Sequence, residues 1–281
     1  MLPEGLDEAD VRRVVEAALA EDVGGGDVTS SSVIPAETRF AGTLAAREPM
    51  VVAGLPLAGI VFATVSPDIV WHPETEDGQR LESGAVIARV EGPARALLTA
   101  ERTAINLLQH LSGIATLTRA YVDAIAGTGA VLLDTRKTIP GLRRLAKYAT
   151  RMGGAVNHRM GLYDAVLIKD NHIAVCGGIG AAVKRAKAAV STPVEVECDT
   201  LEQLDEAIAA GADKVLLDNM EPAHLREAVR RTAGRCSLEA SGGVGLETIR
   251  AIAETGVDFI SVGRITHSAP AVDIGLDWRE A

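Results

Sequence analysis

From about residue 128 onward, short runs of Val, Ile and Leu recur, and each ends in a polar group. The runs are Ala130–Leu133, Ala165–Ile168, Pro193–Val196, Lys214–Leu217, Cys236–Leu238 and Asp258–Val262. The polar ends of the last four, Glu197, Asp218, Ser241 and Gly263, lie 21 to 23 residues apart, the length of one strand-plus-helix unit. Helical patterns fill the intervals. Leu201, Leu204 and Ile208 share a face, Thr200 and Gln203 form a candidate capping box, and Gly211 is a stop; Leu246, Ile249 and Ile252 with Gly256 repeat the arrangement. Alternating strands and helices predict a parallel sheet, and near-continuous apolar strands predict that both its faces are covered. About six such runs predict an α/β fold built on a short or incomplete β/α barrel.

The preceding residues have another rhythm. Val11, Val14, Val15, Ala18 and Leu19 recur at helical spacing until Glu21-Asp22 and Gly24-Gly25-Gly26. Met50-Val51-Val52 and Ala85-Val86-Ile87 lie among Gly, Pro and Ser and predict strands with tight turns. Ala94 to about Ala126 predicts two helices broken near Gly113. The expected organisation is an N-terminal α+β domain over 1–105, joined by the C-terminal segment 266–281, and a barrel over 106–265.

Composition narrows the function. The chain of 281 residues is 47% hydrophobic and 3% aromatic, with net charge −10. Few aromatics and a negative balance argue against nucleic-acid and anionic-membrane partners. No apolar run reaches the roughly 18 residues of a membrane span, and the opening MLPEGLDEADVRR lacks a signal peptide's apolar core. Cys176, Cys198 and Cys236 have no metal-ligand spacing and suit a reducing cytoplasm.

In β/α barrels the chemistry sits at the carboxyl ends of the strands. Here those ends carry Asp134-Thr135-Arg136-Lys137, Lys169-Asp170, Glu197, Asp218, Ser241-Gly242-Gly243 and Gly263. Between Arg136 and His172 eight Lys or Arg stand against Asp164 and Asp170, a local +6 that predicts a small polyanionic substrate. Arg143, Arg144 and Lys147, at helical spacing after Pro140-Gly141, read as a solvated helix face. Arg suits carboxylate and phosphate through its planar fork. Ser241-Gly242-Gly243 before a helix, with Gly263, is a candidate phosphate loop. Glu197 and Asp218 could share one wall and hold Mg²⁺ through water, bind sugar hydroxyls, or pair with Lys169 or Lys137. Glu195 shares the parity of Glu197, so the pattern does not choose between them. Asn157 and His158 could act as ligands or bases; His172 reads as structural.

Three segments together are specific: Asp134-Thr135-Arg136-Lys137-Thr138-Ile139-Pro140-Gly141-Leu142-Arg143, Asn157-His158-Arg159 and Ile168-Lys169-Asp170-Asn171-His172. They resemble the quinolinate phosphoribosyltransferase family, also called nicotinate-nucleotide pyrophosphorylase (carboxylating). The resemblance runs nearly end to end, through Glu21-Asp22-Val23-Gly24, Gly26-Asp27-Val28-Thr29-Ser30, Glu239-Ala240-Ser241-Gly242-Gly243-Val244, Ser261-Val262-Gly263 and Thr266-His267-Ser268. It departs at Ala155, where a third glycine is usual, and at Arg264, where a small residue is common.

The resemblance implies a pentosyltransferase joining quinolinate to phosphoribosyl pyrophosphate, with Mg²⁺, and releasing nicotinate mononucleotide, pyrophosphate and CO₂ in NAD biosynthesis. It implies a seven-stranded incomplete barrel with an N-terminal α+β domain. It also implies a homodimer in which Arg102 reaches across the interface, with larger assemblies left open. Quinolinate would be held by Arg102, Arg136, His158, Arg159 and Lys169, with Thr135 and Lys137 beside the substrates. Glu197 and Asp218 would hold the ribose or Mg²⁺, and Ser241, Gly242, Gly243 and Gly263 the 5′-phosphate. Lys137, Lys169, Glu197 and Asp218 are the expected catalytic set. Three rivals stay open: a Schiff-base aldolase using Lys169, a phosphoribosyltransferase for nicotinate or a molybdenum-linked metabolite, and a non-catalytic anion-binding module.

Overall fold

Each inward strand position in the second half of the chain is two residues from the next, and that parity decides what the barrel holds inside. The computed structural model describes residues 2–279; Met1, Glu280 and Ala281 lie outside the described residues, the last two at the end of the expected C-terminal segment. The chain opens with α1 (Glu8–Val23), α2 (Val28–Val33), β1 (Arg39–Ala46), β2 (Met50–Val51), α3 (Leu55–Val65), β3 (Val70–Pro73), β4 (Arg80–Leu81), β5 (Val86–Pro93) and α4 (Ala94–Ala124). Then follow β6 (Val131–Leu133), α5 (Arg143–Met152), β7 (Val166–Ile168), α6 (Asp170–Cys176), α7 (Ile179–Ala189), β8 (Val194–Cys198) and α8 (Leu201–Ala209). The last elements are β9 (Lys214–Asp218), α9 (Pro222–Thr232), β10 (Ser237–Ser241), α10 (Leu246–Ala253), β11 (Phe259–Ser261), α11 (Arg264–His267) and β12 (Ile274–Arg279).

Two compact units result. The first comprises Met1–Arg119, Thr138–Gly154 and Ile265–Ala281; the second comprises Ala120–Lys137 and Ala155–Arg264. In the first, a sheet of order β12-β1-β5-β3 packs with the helices around one core. α1 starts at an N-cap, Asp7, whose carboxylate accepts the Asp10 N–H, and it buries Val11, Val14, Val15 and Leu19.

The expected boundaries change in two places. Residue 105 falls inside α4, and the predicted break at Gly113 does not occur: α4 runs 31 residues without interruption. Gly113 is small for another reason. A Cβ there would overlap the carbonyl oxygen of Pro270 and come within 3.1 Å of Ala271 Cα. The glycine admits a neighbouring backbone and does not stop a helix. Residues 138–154 also leave the barrel unit to which they were assigned. Leu145, Ala146 and Ala149 of α5 bury into the core of the first unit. Lys147 is fully buried in α5, so it is not part of a solvated face.

The second unit is a parallel sheet of order β6-β11-β10-β9-β8-β7. A seventh strand position is reduced to one residue, Val156, bridged in parallel to Leu133. The ring is open between Val156 and β7, which makes the incomplete barrel expected. Val194, Val196, Val215, Leu217, Leu238 and Ile260 form the apolar outward face and are buried. The opposite parity carries Glu195 and Glu197, Lys214 and Asp218, Glu239 and Ser241. β10 reaches Ser241, three residues beyond the predicted run, because Glu239 and Ser241 face inward and interrupt the apolar pattern.

Candidate active site

At the carboxyl ends of these strands lies a cavity of about 400 Å³. Its walls carry four cations, Arg136, Lys137, Arg159 and Lys169, and the acids Glu197, Asp218 and Glu239, with Thr135, His158, Ser241 and Ser261. Of the eight cations between Arg136 and His172, only these four line it. Arg143, Arg144, Lys147 and Arg151 belong to α5 and the first unit, so the run of charge in sequence is divided between the two units.

Local bonds aim each side chain. Thr135 Oγ1 accepts the Lys137 N–H at 3.0 Å and folds the turn after β6 that presents Arg136 and Lys137. Asp134, fully buried, accepts from Asn157 Nδ2 at 2.6 Å and from the His158 backbone N–H at 2.8 Å. Asn157 therefore pins the strand entering His158-Arg159 to the end of β6, a positioning task. The next loop is shaped by Asp164, which accepts the Met160 and Gly161 N–H groups, and Arg159 donates to the Ala165 carbonyl. Burial and the adjacent charge of Arg136 both lower the Arg159 pKa, so two guanidiniums crowd one wall and an anion between them would relieve the repulsion.

Lys169 forms an ion pair with Glu197, one of the pairings left open above. His172 Nδ1 accepts the Lys169 backbone N–H at 3.0 Å at the start of α6, the structural task expected of it. Asp218 Oδ2 accepts from Asn219 Nδ2 at 2.6 Å. Asn219, at φ 54°, also donates its backbone N–H to the Ser241 carbonyl at 2.9 Å and lies against Gly242. A Cβ at Gly242 would overlap the Asn219 amide and lie 2.8 Å from its backbone N, and φ there is +91°. Asn219 thus couples the Asp218 carboxylate to the glycine loop, a role without a sequence signal beyond its place after a strand.

Gly242, Gly243 and Gly263 lie at the same strand ends but are not among the side chains lining the cavity. Arg102 is exposed on α4, in the first unit. Glu197 lines the cavity, whereas Glu195, of equal parity, sits buried beneath it: His158 Nε2 is 3.2 Å from Glu195 Oε2 and 3.5 Å from Glu239 Oε2. Burial disfavours charge on His158, but its bonds to those two carboxylates outweigh that and raise its pKa to about 9.

Comparison with known proteins shows the family. Residues 27–112 match the description "Quinolinate phosphoribosyl transferase, N-terminal domain", and residues 114–277 match the corresponding C-terminal domain. A nicotinate-nucleotide pyrophosphorylase [carboxylating] of Mycobacterium leprae is 47% identical over 275 residues, covering 95% of this chain and 96% of that protein. A quinolinate phosphoribosyltransferase [decarboxylating] of Nicotiana glauca is 40% identical, covering 95% of this chain and 82% of its own. The solved nicotinate-nucleotide pyrophosphorylase of Francisella tularensis superposes with a TM-score of 0.95 at 42% identity, covering 98% of both chains. The chain belongs to the quinolinate phosphoribosyl transferase family.

Proposed function

We propose that the strand-end cavity is where quinolinate meets phosphoribosyl pyrophosphate and that Arg136, Arg159, His158 and Lys169 hold the pyridine diacid. The reaction of the family is phosphoribosyl transfer to quinolinate with decarboxylation, giving nicotinate mononucleotide, pyrophosphate and CO₂ in NAD biosynthesis. The observation that carries the site assignment is the convergence of Arg136, Lys137, Arg159 and Lys169 on one cavity that also holds Glu197 and Asp218.

The chemistry follows from charge. The ring nitrogen attacks the anomeric carbon as its bond to pyrophosphate breaks, and the sugar becomes oxocarbenium-like. Glu197 and Asp218 on adjacent strands favour that positive charge and accept from the ribose hydroxyls. The cations that line the same cavity stabilise the departing pyrophosphate. N-alkylation leaves a pyridinium, so the neighbouring carboxylate departs as CO₂, its bonding electrons stay on the ring carbon, and a proton replaces it. Ser241, Gly242, Gly243 and Gly263 supply N–H groups beside the α10 N-terminus to the 5′-phosphate.

Glu197 and Asp218 are hard oxygen donors on an open wall and fit Mg²⁺ held largely through water, since Lys169 takes one Glu197 oxygen. Bound there, Mg²⁺ would neutralise pyrophosphate charge. Three free cysteines favour a reducing, cytoplasmic setting, and no helix among the described residues is long and apolar enough to cross a membrane.

The deciding assay follows CO₂ and pyrophosphate together. Quinolinate should release both in equal amounts, and nicotinate should release neither. Pyrophosphate release with nicotinate, or borohydride trapping of a carbonyl substrate on Lys169, would overturn the assignment. The exposed position of Arg102 fits a contribution to a second copy's site. Arg102→Ala and Lys169→Ala should each be inactive alone and regain activity when mixed into heterodimers. Verified heterodimers without activity would place Arg102 outside a shared site.

A further inference from the structure

A β/α barrel is ordinarily filled by branched apolar side chains, yet the floor of this cavity is charged. Glu195 on β8, Lys214 on β9 and Glu239 on β10 occupy inward positions on three adjacent strands, below Glu197, Asp218 and Ser241. Glu195 is 6% exposed and Glu239 fully buried. Lys214 pairs with both acids, its Nζ 3.3 Å from Glu195 Oε1, and lies 4.6 Å over the Phe259 ring. His158 Nε2 meets the same two carboxylates from above. Two carboxylates and one ammonium leave one negative charge buried, and an uncompensated buried charge is costly. An imidazolium at His158 brings the cluster to neutrality. His158, Glu195 and Glu239 also offer ligand atoms within 4.8 Å of one another, but Lys214 already supplies a cation bonded to both acids.

We propose that Glu195, Lys214 and Glu239 are positioning residues for His158, holding its imidazole in the cationic form so that the cavity presents a further positive charge to an anionic substrate. Other groups act on His158 as well. Asp134 accepts its backbone N–H, and Arg136, Lys137, Arg159 and Lys169 line the cavity around it and oppose protonation. The Arg159 N–H donates to His158 Nδ1 at 2.8 Å, a bond only the uncharged Nδ1 accepts. Charging the ring gives up that bond and strengthens those that Nε2–H already makes to the two carboxylates, since donor and acceptors are then all ionised. It also makes Nδ1–H available to an acceptor. The direction of the pKa shifts agrees: His158 rises to about 9, and Glu239 is held below the ordinary carboxylate range, burial being outweighed by His158 and Lys214.

The sign is definite. A ring with a raised pKa is charged at neutral pH and loses its charge, and its pull on substrate, as pH rises through about 9. The test is NMR titration of the histidine rings in the full chain, with His158→Asn identifying the His158 signal among the six histidines. In the wild type His158 should titrate above pH 8, and Glu239→Gln should lower its midpoint by about one unit or more. Titration near an ordinary 6.5, or a midpoint unmoved by Glu239→Gln, would overturn the proposal. Should Glu239→Gln fail to fold, Glu195→Gln gives the same comparison. A kinetic arm rests on the reaction proposed above. The alkaline limb of kcat/KM for quinolinate should move to lower pH in Glu239→Gln, carried by KM more than by kcat, and an unmoved limb counts against the role. No turnover of quinolinate by the wild type would reject the reaction itself and leave the NMR result to decide on the cluster.

Discussion

Arg136→Ala should lower kcat/KM for quinolinate by roughly a hundredfold or more, chiefly through KM. A guanidinium can give a carboxylate two parallel charge-assisted bonds, each worth about 1.5–3 kcal/mol, so losing both costs about 3 kcal/mol or more. Arg136 lines the cavity beside Arg159, whose pKa is lowered by burial first and then by the Arg136 charge. The fork geometry makes a further distinction: Arg136→Lys should recover only part of the loss, because an ammonium cannot offer two parallel donors. Steady-state kinetics with quinolinate varied at saturating phosphoribosyl pyrophosphate measure both. An unchanged KM in Arg136→Ala would remove the residue from carboxylate binding.

Gly113→Val should destabilise the first unit by about 3 kcal/mol or more, since a branched side chain must displace the Pro270–Ala271 backbone. At roughly 2–4 °C per kcal/mol for a chain of this size, the thermal midpoint should fall by about 10 °C. Gly113→Ala should fall less, because alanine regains about 1 kcal/mol of helix propensity. Thermal unfolding followed by circular dichroism decides the point. A midpoint unchanged in the valine variant would mean that the 269–272 segment yields easily and that the close approach contributes little.

Gly113 also illustrates where sequence reading ends. In an amphipathic stretch a glycine reads as a stop, and only the partner backbone, more than 150 residues away, reveals its purpose. The barrel was legible because strand runs, polar ends and glycine stops repeat at a near-constant interval. Its charged interior was not, because Lys214 and Glu239 interrupt apolar runs and read as strand borders. Period-two parity could have placed them inward, as it placed Glu195 and Glu197 together; depth along the strand then separates these two, and depth needs the register of neighbouring strands. The cation run from Arg136 to His172 overstated the site for a topological reason. The chain leaves the barrel after Lys137 and returns at Ala155, taking Lys147 into an interior of its own. Asp134 and Asn157 sit on either side of that departure, and their bond joins the two ends of the loop so formed.

That same excursion bears on how such a chain can be inherited. A single genetic crossover after residue 119 would draw α5 from one parent and most of its surroundings from the other, setting Leu145, Ala146 and Ala149 of one ancestry among Val15, Leu57 and Leu111 of a second. A cut at that point divides one core between two parents, so such a recombinant should fold only where the two sets of core side chains are compatible in volume.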